Sequence, residues 1–104
     1  MPVVQILERP VHVDAEGFLT ELSEWDEDLA RALAQQIGLE LTHRHWEVVR
    51  FLRADYAERG QTPTTRRVDV VGGIPVKEQF ALFPRKPGRK MAYVAGLPKP
   101  HGCV

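Results

Sequence analysis

The chain has 104 residues, 43 % hydrophobic and 27 % charged, with 14 basic side chains against 14 acidic ones. That composition bounds it to one globular domain with one modest core. Its apolar runs fall far short of the roughly 18–20 residues of a bilayer span, and its start lacks the form of a signal peptide, so a cytoplasmic protein with no membrane contact is expected. A lone cysteine, Cys103, excludes an internal disulfide and a thiolate metal cage.

Residues 3–7 (Val-Val-Gln-Ile-Leu) and 11–13 (Val-His-Val) are short and β-branched, and Ala15-Glu16-Gly17 turns the chain into Phe18-Leu19. This predicts a small β-hairpin or meander. Ser23 with Asp26 has the form of a capping box. Leu29, Ala30, Leu33, Ala34 and Ile37 then recur at helical spacing up to Gly38, predicting a helix over about 24–37. Thr42 is a cap for a second helix over 43–59, with Trp46, Val49, Leu52 and Tyr56 on one face and Gly60 as its stop.

In the middle segment Thr62-Pro63-Thr64-Thr65 suits a turn or short helix, whereas Val68, Val70 and Val71 favour extended structure before Gly72-Gly73. A short helix near Lys77–Phe83 is expected to stop at Pro84. Beyond it Pro84, Pro87, Gly88, Gly96, Pro98, Pro100 and Gly102 leave little room for regular structure. The expected organisation is a folded domain over residues 1–87 and a mobile arm over 88–104. Met91, Tyr93, Val94 and Leu97 form a patch able to dock the arm, and residues 88–103 span at most about 50 Å when drawn out.

Charge is uneven despite its zero sum. Residues 1–60 hold twelve acids and six bases, whereas residues 77–104 hold six bases (Lys77, Arg85, Lys86, Arg89, Lys90 and Lys99) against Glu78 alone. A basic end of this kind meets an anionic partner or stabilises an anion of its own. Cys103 attacks sulfur as thiolate, which Lys99, Arg85, Lys86, Arg89 and Lys90 would favour if the arm folds back and which the terminal carboxylate of Val104 opposes, so little activation is expected in the extended arm. Gly102 clears the approach to it. Spacing alone leaves two readings open, a delivered nucleophile and a terminal cysteine that is merely exposed.

Two other readings compete. The helices over 24–37 and 43–59 have lengths suited to a helix-turn-helix regulator, with Arg44, Arg50 and Arg53 toward phosphate, but the net charge of minus six over residues 1–60 repels a polyanion. His43, His45, His101 and Cys103 make a poor metal set, because His43 and His45 are two apart on a helix and point to different sides. No cofactor or metal is expected.

The ending Ala95-Gly96-Leu97-Pro98-Lys99-Pro100-His101-Gly102-Cys103-Val104 resembles the C-terminal signature of the DsrC/TusE family of sulfur-relay proteins. Further likeness lies in Glu16-Gly17-Phe18-Leu19, in Trp25, in His45-Trp46-Glu47-Val48-Val49-Arg50-Phe51 with Arg53, and in Leu82-Phe83-Pro84, and is weakest over residues 64–81. The resemblance implies an α+β fold, a small N-terminal β-meander packed on a helical array, with a flexible C-terminal arm whose Cys103 accepts and hands on persulfide sulfur. It further implies a relay toward tRNA 2-thiouridine, from a TusBCD-like donor to a thiouridylase, with tRNA met only indirectly. The alternative it leaves is an accessory subunit of a sulfite-reductase-like complex. Members of the dissimilatory branch carry a second arm cysteine, for which this chain has Ala92, so a two-cysteine cycle is closed to it. Arg50, Arg53, Arg85, Lys86 and Lys99 are the candidates for receiving the arm or docking a partner.

Overall fold

The computed structural model describes residues 2–100. The chain opens with an antiparallel hairpin, β1 (Val3–Ile6) and β2 (Arg9–His12), in the register Val3 with His12 and Ile6 with Arg9. That register leaves a two-residue turn, and both its residues take the positive φ that a type I′ turn demands, Leu7 at 55° and Glu8 at 61°. An isolated bridge from Val13 to Leu19 returns the chain alongside. The expected meander is thus a hairpin with one added bridge.

Among the described residues, after a 3-10 turn at Leu22–Glu24 come five helices: α1 (Glu27–Gln36), α2 (His43–Arg59), α3 (Thr65–Val70), α4 (Val76–Leu82) and α5 (Pro87–Val94). The fold is the α+β arrangement expected. α1 starts three residues later than its periodicity suggests, because Asp26 rather than Ser23 caps it, its carboxylate accepting from the Leu29 amide at 2.8 Å. α2 spans the predicted residues. Its Thr42 amide donates to His45 Nδ1 at 3.1 Å, and Gly60 ends it with φ 73°.

Two expectations are corrected. Val68, Val70 and Val71 do not form extended chain: Thr64 accepts from the Arg67 amide at 3.2 Å and starts α3, of which Val68 alone is buried. Only one turn and a half of helix is needed here, too short for the β-branched penalty to decide the outcome. The irregular run expected after Pro84 is helical from Pro87 to Val94, because Pro87 occupies the first helical position, where a missing N–H costs nothing.

The main core gathers Ala30 and Ala34 of α1, Val48, Val49 and Leu52 of α2, Val68, Ile74 and Phe83, and Met91, Val94, Ala95 and Leu97 from the C-terminal part. A second cluster joins Ile6, Val11, Val13 and Leu19 to Leu29 and Leu33 of α1. α5 packs on α1, α2 and α4 and so lies at the centre of the helical array. Gln79, fully buried, donates to the carbonyls of Thr65 and Ile74 and fixes the turn between α3 and α4.

Candidate functional site

α5 does not end at the surface. Ala95, Gly96 and Leu97 are buried behind it, and the strap formed by residues 95–100 runs across the body. The patch of Met91, Val94 and Leu97 is docked in the core, and Tyr93 lies half-buried against Phe18 with its hydroxyl donating to Gln36 at 2.9 Å. Burial of the Tyr93 phenol pushes its pKa above the ordinary value.

Side chains from distant parts of the chain hold the end of α5 and the strap by their backbone. The Trp25 indole N–H donates to the Val94 carbonyl at 2.9 Å, Arg53 donates to the Ala95 carbonyl at 2.6 Å, and the Thr62 hydroxyl donates to the Pro98 carbonyl at 2.7 Å. The Arg53 guanidinium also lies over the Trp25 ring, 4.0 Å from its centroid. Burial alone pulls Arg53 below the usual arginine range, yet an arginine so placed stays a cation and gives its buried acceptor a charged donor. Gly96, at φ 70°, passes beneath Trp25 so closely that a Cβ would collide with the ring.

The predicted basic residues do not gather at one place. Arg53 holds the strap. Lys99 meets Glu16 at 3.4 Å, and Arg89 meets the same carboxylate at 3.2 Å, so Glu16 takes part of the basic charge of the C-terminal region. Arg50 is exposed on α2, and Arg85 and Lys86 form the exposed left-handed turn between α4 and α5 with φ of 64° and 50°. Among the described residues none of these three makes a side-chain hydrogen bond or ion pair. Cys103 lies outside the described residues.

Sequence reasoning missed Thr62 and Glu16 and read Trp25 as core. Glu16 and Trp25 both fall at places of family likeness, which is the available signal; Thr62 has none. His45 is otherwise engaged: its Nδ1 accepts from the Thr42 amide and its Nε2 meets the Leu82 carbonyl at 2.8 Å, which makes it a packing residue between α2 and α4. Arg44 is bound to Glu78 at 2.8 Å and raised by it, so with Arg53 spent on the strap two of the three arginines of a DNA-facing α2 are already committed.

The family model described as DsrC like protein matches residues 5–104. The chain belongs to the DsrC-like family. Curated relatives include the sulfurtransferase TusE of Yersinia pseudotuberculosis, 39 % identical over 103 residues with 92 % of this chain and 95 % of the relative covered. The TusE of Escherichia coli K12 is 36 % identical over 103 residues, covering 92 % of this chain and 94 % of the relative. Among solved structures, the DsrC of Allochromatium vinosum superposes with a TM-score of 0.80 at 35 % identity, covering 98 % of this chain and 97 % of that one. The oxidized gamma-subunit of the dissimilatory sulfite reductase (DsrC) from Archaeoglobus fulgidus gives 0.80 at 33 % identity, covering 99 % and 100 %. Within this DsrC-like chain the middle segment that resembled the family least is the helix pair α3 and α4, split at Gly72-Gly73.

Proposed function

We propose that the protein is a cytoplasmic sulfur carrier that takes up and hands on persulfide sulfur at Cys103, in a relay toward tRNA 2-thiouridine. The family match supports this reading: it runs through residue 104, and the relatives of similar length are named sulfurtransferases. The Cys103 thiolate attacks the outer sulfur of a donor persulfide; a new S–S bond forms at Cys103 Sγ, the donor S–S bond breaks, and the donor leaves as thiolate. An acceptor thiolate then repeats the exchange on the outer sulfur, so the relay needs no net oxidant and no cofactor. A TusBCD-like donor and a thiouridylase acceptor fit the TusE relatives.

The moving arm is proposed to be short. Detaching the chain from residue 88 would strip Met91, Val94 and Leu97 from the core at about 1.5–3 kcal/mol each, a total comparable to a domain's whole stability of about 5–15 kcal/mol. Release beyond Pro98 costs none of that burial. The similarity to sulfite-reductase gamma-subunits favours a second reading, an accessory subunit of such a complex. Ala92, buried in α5, deprives that reading of an intramolecular disulfide.

Intact-mass measurement after incubation with a cysteine desulfurase and cysteine tests the carrier reading. A gain of one sulfur atom, absent in Cys103→Ser and reversed by reductant, is the expected result. Loading that survives in Cys103→Ser would sink it.

A further inference from the structure

The Pro98 carbonyl is held by Thr62, and Cys103 is five residues further on, so with that bond in place the thiol stays within about 17 Å of it. With that bond in place, any protein that exchanges sulfur with Cys103 comes within about 17 Å of Thr62. At Thr62 is a groove of about 380 Å³ lined by Arg59, Thr62, Arg66, Arg67, Val70 and Val71, together with Gln61 and Thr64, with no carboxylate in its lining. Arg67 is bound to Asp55 at 2.8 Å and Arg59 reaches the same carboxylate at 3.8 Å, while Arg66 has no ion-pair partner among the described residues. Asp55 thus neutralises one of three guanidinium groups, although Glu58 also faces Arg67.

Beside these charges stand Val70, 71 % exposed, and Val71, 54 % exposed, the two most exposed large hydrophobic residues among the described ones. A polyphosphate partner gains nothing from two valines. A protein surface does, since interface centres are apolar and arginine-rich.

We propose that this groove docks the protein that exchanges sulfur with Cys103, taking an apolar side chain flanked by carboxylates. The proposal rests on the carrier reading for its partner. It accounts for two neighbouring apolar residues, Val70 and Val71, that the core leaves outside.

The test measures binding of Cys103→Ser to a TusBCD-type donor and to a thiouridylase by calorimetry, and sulfur loading of the native chain from inorganic polysulfide and from the donor by intact mass. Arg66→Glu and Val70→Asp, both at solvent-exposed positions and checked for native circular dichroism, are expected to weaken binding to at least one of the two proteins tenfold or more. They should slow protein-to-protein transfer alike and leave polysulfide loading unchanged. Unaltered binding to both proteins overturns the proposal. So does a loss confined to tRNA binding, a dimer that Arg66→Glu turns into monomer, or a tenfold tightening on removal of residues 101–104 that Arg66→Glu abolishes, which would give the groove to the chain's own end. A chain that binds through Arg66 yet takes no sulfur from polysulfide overturns the carrier reading and leaves the docking surface standing.

Discussion

The hairpin and the strap are both fastened to the same helical body, by opposite chemistry. At the hairpin, Arg9 grips the Asp26 carboxylate with two bonds of 3.0 and 2.8 Å, and Glu24 takes the His12 amide at 2.8 Å and its ring Nδ1 at 2.7 Å. At the strap, an indole, a guanidinium and a hydroxyl donate to three backbone carbonyls. The first joint depends on carboxylates remaining ionised. The three donors of the second do not titrate between pH 2 and 9, and what they hold is main-chain carbonyl oxygen.

Breaking the strap joint at its centre gives the largest effect. Trp25→Ala removes the indole donor, the ring over Gly96 and the partner of Arg53, and is expected to cost about 3 kcal/mol in urea-induced unfolding. Arg53→Met keeps much of the stem and leaves the buried Ala95 carbonyl unpaired, for a loss of about 1–2 kcal/mol by the same measurement. If either variant is as stable as the parent, the strap is not held as described.

Acid separates the two joints. Arg9 and the Leu29 amide hold Asp26 at about 2, and the His12 bonds hold Glu24 below its usual range. Both groups bind protons more weakly folded than unfolded. Their contribution is complete above the unfolded carboxylate values near pH 4 and is lost as pH falls toward 2. Amide resonances of His12 and Leu29 should therefore shift in that window before the Trp25 indole N–H does; a simultaneous shift would show that the joints are not independent. The smallest effect is a gain: Glu8→Gly relieves a positive φ in the hairpin turn and should raise stability by about 0.5 kcal/mol in thermal denaturation, without altering sulfur loading.

α2 is legible in the sequence because its signals are local: a threonine cap, one apolar stripe and a glycine stop all lie between Thr42 and Gly60. α5 is not, because its proline and glycine lie in its first turn, where they are harmless, and only the burial of Met91 and Val94 makes the helix worth forming. Val70 and Val71 mislead for a related reason. Their preference for extended chain has no sheet to satisfy it, and Thr64 with Gly72-Gly73 sets a helical turn instead. Within the site, Arg53 carries a pattern that a reader can find. Thr62 does not, since its strap partner is thirty-six residues away, and Trp25 meets the Val94 carbonyl across sixty-nine. Contacts of that separation leave no periodic trace.

The placement of Trp25 makes the molecule its own optical gauge. One of only two indoles in the chain, it is stacked on a cation and hydrogen-bonded to the segment that leads to the thiol. In a Trp46→Phe background its emission wavelength would read directly whether that segment stays seated while sulfur changes hands, with no label attached.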